Sequence, residues 1–179
     1  MRVSRMLVVL LGCFFGAGSA AGQSACAGGR ALTAKERIAL REIQARIDES
    51  VEADEAKDVT AKMRHMTPDA TVQLLDGNVL NRKETEAGTR RDYDWILAVS
   101  DETRVQVTCI ELHGKEATVS TDQRFVRMVP DRKDGSPHEL ITTMKHRETW
   151  VYNDGGWLNK HTVELERGPI YLDGQPFTP

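Results

Sequence analysis

The stretch Leu140–Leu165, LITTMKHRETWVYNDGGWLNKHTVEL, decides the fold of this chain. Two alternating, β-rich runs flank Asn153-Asp154-Gly155-Gly156. Asp-Gly between such runs signals a hairpin, because a type I′ turn needs φ > 0 at both central residues. With Asp154-Gly155 as the turn, Tyr152 faces Trp157, Trp150 faces Asn159, Glu148 faces His161 and His146 faces Val163. Side chains alternate with period two, so one face gathers Met144, His146, Glu148, Trp150, Tyr152, Trp157 and His161. The other carries Arg147, Thr149, Lys160 and the Lys145–Glu164 pair. A turn at Gly155-Gly156 slides the pairing and sets His161 against Trp150, but sorts the faces in the same way.

Upstream, Glu102–His113 and Glu116–Met128 alternate around Gly114-Lys115 and predict a second hairpin. Here Ile110, Leu112, Ala117, Val119 and Phe125 share a face with Thr121 and Gln123, and Val107, Asp122 and Arg124 fall opposite. Thr33 with Glu36 forms a capping box, and the helix after it carries Leu40, Ile43, Ile47 and Val51 as one apolar stripe to about Ala56. Asp58 caps a second helix, Val59–Met66, ended by Thr67-Pro68. A short strand, Ala70–Leu75, turns at Asp76-Gly77. Asn81 with Glu84 starts a third helix running to about Val99. Helices followed by long antiparallel strands predict α+β: a cone-shaped curved antiparallel sheet, with three helices from the N-terminal half packed on one face.

The chain has 179 residues, 40% hydrophobic and 28% charged, enough for one core. Arg2 and Arg5 precede an apolar run, Met6–Phe15, and then small residues. That pattern predicts a secretory signal peptide over residues 1–22, a flexible leader over 23–32 and one domain over 33–179. The expected location is periplasmic or secreted. The run is too short for a membrane span. Leu10-Leu11-Gly12-Cys13 loosely resembles a lipoprotein box, but would leave an apolar, unspaced start to the mature chain. A formal charge of −3 with no basic patch argues against nucleic acid. Cys26 and Cys109 can pair in an oxidising compartment, or stand as a loose and a strand cysteine.

Three further stretches carry a resemblance. They are Lys62–Leu75 (KMRHMTPDATVQLL), Asp76–Glu84 (DGNVLNRKE) and Glu148–Trp157 (ETWVYNDGGW). In this order they resemble the SnoaL-like domains of the nuclear transport factor 2-like superfamily. The resemblance implies a conical pocket at the wide end of the sheet and frequent homodimers, but no single activity. Ketosteroid isomerases of that superfamily keep a general-base Asp four residues after the Ala of the strand-entry motif. Leu74 stands there in this chain and cannot move a proton.

Chemistry then rests on the hairpin. Glu148 can orient His161 as an acid or base, with His146 nearby. Trp150, Trp157, Tyr152 and Tyr93 can wall a flat or apolar ligand, and Arg147 on the other face can grip an anion. The same Glu–His face can equally be a structural cross-strand pair or a dimer interface. His138-Glu139-Leu140-Ile141-Thr142 lacks the second histidine of a zinc-protease motif, and no metal or other cofactor is expected. Two functions follow: a small-molecule binder, or a cofactor-free lyase, isomerase or hydrolase.

Overall fold

A computed structural model describes residues 24–26 and 30–178. The expected signal peptide, residues 1–22, lies outside them. The elements run β1 Ser24–Ala25, α1 Ala34–Glu55, α2 Val59–Met63, β2 Met66–Gln73, β3 Val79–Asn81, α3 Arg82–Trp95 and β4 Ala98–Val99. The long strands follow: β5 Arg104–His113, β6 Glu116–Pro130, β7 Pro137–Asn153 and β8 Gly156–Arg167. Short β9 Ile170–Leu172 and β10 Gln175–Phe177 close the chain. Both capping boxes form, at Thr33–Glu36 and Asn81–Glu84.

The sheet order is β1-β5-β6-β7-β8-β2-β3, strongly curled into a half-barrel. The expected α+β cone is present, with one amendment. The four long strands are antiparallel, but β2 joins β8 in parallel and β1 joins β5 in parallel, so the sheet is mixed. The apolar stripe of α1 fills the concavity. Leu40, Ile43 and Ile47 pack on Val107, Ile110, Val119, Trp150 and Trp157. Burying each such aliphatic side chain stabilises by roughly 1.5–3 kcal/mol relative to leaving it exposed.

Three local expectations change. The β7–β8 turn holds Asp154-Gly155 as its two residues, with Asn153 opposite Gly156. Neither central residue takes a positive φ; Gly156 does instead, at 111°. Pro68 lies inside β2 rather than before it, at the irregularity between Met66 and Thr71. There its missing N–H breaks no regular ladder bond. The third helix stops at Trp95, because Ile96 turns extended and Ala98–Val99 pairs with β6.

Part of the expected leader lies among the described residues. Ser24 and Ala25 pair with Cys109 and Ile110, and Cys26 forms a disulfide with Cys109 across 83 residues of chain. Closing a loop of that length removes much denatured-state freedom. Reduction is expected to lower the unfolding free energy by about 2–4 kcal/mol, read as a lower guanidinium midpoint with dithiothreitol. An unchanged midpoint would show that the bridge constrains nothing.

Candidate functional site

The concave face of the hairpin is the histidine–tryptophan face. Along β7 it presents His146, Glu148 and Trp150; along β8, Asn159 and Thr162. A cavity of about 200 Å³ opens over them. Its apolar wall is Ile47 and Val51 of α1, Met63 of α2, Val72 of β2, and Val105, Phe125 and Trp150 of the sheet. Its polar lining is Asp54, Lys62, His65, Gln123, His146, Glu148 and Asn159.

Glu148 is 6% exposed and sits at the centre of a donor set. Trp150 Nε1 donates to it at 2.9 Å and Asn159 Nδ2 at 3.1 Å. Thr121 Oγ1 donates at 3.2 Å and Gln123 Nε2 reaches it at 3.5 Å. Burial pushes the Glu148 carboxyl above its ordinary value, and these donors pull back only part of the way. Gln123 also meets Thr121 Oγ1 at 3.1 Å and His146 Nδ1 at 2.8 Å. When ionised, Glu148 only accepts, and it then holds the Gln123 amide with nitrogen inward. That amide donates to Nδ1, so a neutral His146 carries its proton on Nε2. Burial also holds His146 below the usual histidine range, favouring the neutral ring.

A second cluster forms the far wall. Asp54 accepts from Lys62 Nζ and from the hydroxyl of Tyr93. Burial and the adjacent Asp54 charge raise the Tyr93 phenol, so it remains a donor. A second cavity of about 170 Å³ lies beyond this pair and shares Asp54, Lys62 and Phe125 with the first.

No family model and no curated protein matches the chain. Solved structures do. A protein from Novosphingobium aromaticivorans, provisionally assigned as a scytalone dehydratase, superposes with a TM-score of 0.67 at 13% identity. That match covers 78% of this chain and 91% of the other. A nuclear transport factor 2-like superfamily protein from Salmonella enterica gives 0.57 at 14% identity, covering 72% and 91%. A ketosteroid isomerase-like protein from Erwinia carotovora gives 0.53 at 12%, covering 71% and 96%. The chain has the nuclear transport factor 2-like fold. At such identities the likeness speaks for the fold alone.

Within this nuclear transport factor 2-like cone, the expected site residues divide. His146, Glu148 and Trp150 meet at the cavity. His161 does not. Thr149 pairs with His161 and Trp150 with Asn159, so Lys160 is an extra residue on β8. One inserted residue flips the alternation beyond it. Glu148 therefore opposes Thr162, and the ring of His161 turns to the outer face, 2.7 Å from Thr71 Oγ1. The expected Glu148–His161 pair is absent. The same bulge sets His146 opposite Glu164 rather than Val163, and a second bulge at Leu165 sets Lys145 opposite Glu166, so the expected Lys145–Glu164 pair is replaced by Lys145–Glu166. Trp157 packs in the core, with its Nε1 donating to Glu42 at 3.0 Å, and lines neither cavity. Tyr152 is 41% exposed at the hairpin tip, edge-on to Trp157. Arg147 is exposed on the outer face. Tyr93 lines only the second cavity.

Asp54, Lys62, Gln123 and Asn159 are additions to the sequence reading. Asp54 was signalled: it continues the stripe Ile47, Val51 at helical spacing, a charge on an apolar face. Gln123 already shared the inner face with Val119 and Thr121. Val107 corrects the other way. A bulge at Thr108 turns it inward, where it is fully buried opposite Thr121.

Proposed function

We propose that this protein binds a small, mainly apolar or aromatic molecule in the cone, oriented by His146. The observation that carries the reading is the first cavity itself. Much of its wall is apolar, and three of its polar groups are tied in one hydrogen-bonded chain, Glu148 to Gln123 to His146. A ligand pocket combines these two properties. Ser50 lines the cavity from α1. Ser50→Phe is expected to fill it and to abolish the thermal stabilisation that small aromatic compounds give the parent protein. Equal stabilisation of both forms would place binding elsewhere.

A second reading, turnover without a cofactor, is favoured by one detail. His146, anchored at Nδ1 by Gln123 and favoured as a neutral ring by burial, lines the mostly apolar cavity. That suits an acid/base group in a lyase or isomerase step. For a substrate that is turned over, His146→Ala is expected to lower kcat by about 10²–10⁴-fold. Because burial lowers the His146 pKa, the midpoint of the imidazole limb in the pH profile should lie below 6.5. An undiminished rate in His146→Ala would end this reading. Export and homodimerisation belong to the same proposal. The Cys26–Cys109 bridge supports an oxidising compartment, and sedimentation of the purified chain tests the dimer.

A further inference from the structure

We propose that the ligand of the cone is an acid whose carboxylate is received by Arg127 in the second cavity. This rests on the reading that the cone holds a small molecule. β6 and β7 pair without a bulge from Glu116 to Pro130, so the inward positions of β6 continue Val119, Thr121, Gln123, Phe125, Arg127. Arg127 is thus a cation on the concave face. Its Nη2 donates to Thr142 Oγ1 at 2.5 Å, and its Cζ lies 5.7 Å from the centre of the Phe125 ring. Its Nε is buried and has no hydrogen-bond partner among the described residues. No carboxylate among those residues forms an ion pair with it.

A guanidinium carries five N–H donors, and burying it without an anion is costly. Burial indeed pulls its pKa down. The two acids of the same cavity, Asp54 and Asp92, attract Arg127 through space but make no ion pair with it. Asp54 is engaged by Lys62 and Tyr93. Asp92 is exposed and reaches Arg127 only through space. Around the cation stand Tyr93, Ile96, Val99, Phe125 and Met144, a largely apolar surround. A planar carboxylate matches the guanidinium fork. Lys62 is already paired, so Arg127 is the cation left over among the described residues that line this cavity. One such charge balances a monoanion, not a phosphate dianion. The two cavities abut at Phe125 and the Asp54–Lys62 pair. An acid group at Arg127 therefore sits in the second cavity, with its apolar body against Phe125 at the boundary with the first.

The test uses the disulfide-bonded protein and two probes of one shape, 2-naphthoate and 2-naphthamide, titrated by calorimetry. The parent should bind the acid about tenfold or more tighter than the amide. Arg127→Met should remove that preference and leave amide affinity unchanged. Thr142→Val, which releases the guanidinium without removing it, should weaken the acid alone. It also serves if Arg127→Met fails to fold. Equal affinity of the parent for both probes overturns the carboxylate assignment and leaves the cone as a binding site. So does a preference that survives both variants. Binding of neither probe overturns the cone reading, and this inference with it.

Discussion

Glu148→Ala is expected to lower the unfolding free energy by about 3–5 kcal/mol, because it strips one acceptor from several buried donors. Trp150 Nε1, Asn159 Nδ2, Thr121 Oγ1 and Gln123 Nε2 all converge on this carboxyl. Trp150 Nε1 has no other bond among the described residues, and Asn159 is left with Thr162. A softer substitution separates charge from shape. Burial raises the Glu148 pKa, so the native state holds this proton at pH values where the unfolded chain has released it. Stability contributed by the group is therefore present below the ordinary glutamate value and is lost as pH rises through the raised one. Glu148→Gln cannot titrate. The parent-minus-variant stability difference should shift against the parent as pH climbs from about 4 toward 8. Exposed acids with lowered pKa values, such as Asp134 and Asp173, push the other way but cancel in the difference. Guanidinium unfolding of both proteins across that range gives the result, and parallel pH profiles would sink the assignment.

The hairpin around Asp154-Gly155 was legible because alternation and turn chemistry are local. Tyr152–Trp157 and Trp150–Asn159 pair as the two-residue turn requires. Alternation fails at the first bulge. Nothing in Asn159-Lys160-His161 distinguishes a bulged run from a regular one, and the extra residue coincides with the place where β2 enters beside β8. A non-local partner thus decides on which face His161 stands. Turn type was similarly displaced. The geometry expected at Asp154-Gly155 occurs at Asp173-Gly174, where both residues have positive φ, 48° and 74°, between the short strands β9 and β10. The same dipeptide serves both sites, and the strands around it select the twist. The polar relay was half visible. Alternation put Thr121 and Gln123 on one face and Glu148 on the face of His146 and Trp150 without saying which face is concave, and their convergence needs the β6–β7 register, which brings Gln123 to Glu148 across 25 positions of sequence. Asp54 was visible as a charge on an apolar stripe, and its partner Lys62 was hidden by the turn at Ala56–Asp58.

That misplaced charge yields the second large effect. Asp54 is buried at the end of α1, and its carboxylate ties α2 through Lys62 to α3 through Tyr93. Asp54→Ala leaves an ammonium and a phenol facing each other without an acceptor. It is expected to cost about 3–5 kcal/mol, as for other broken buried pairs. Tyr93→Phe removes only one neutral donor to a charge and should cost about 1.5–3 kcal/mol. The two changes share one hydrogen bond, so Asp54→Ala with Tyr93→Phe should cost clearly less than the sum of the single effects. The Asp54–Lys62 pair also walls both cavities, so loosening it should speed amide exchange in α2 and the end of α3 while the β6–β7 ladder keeps its protection. A double mutant whose cost equals the sum would show that Tyr93 and Asp54 act independently. Exchange that rises equally in β6 and β7 would show that the link holds the whole cone rather than its helical wall.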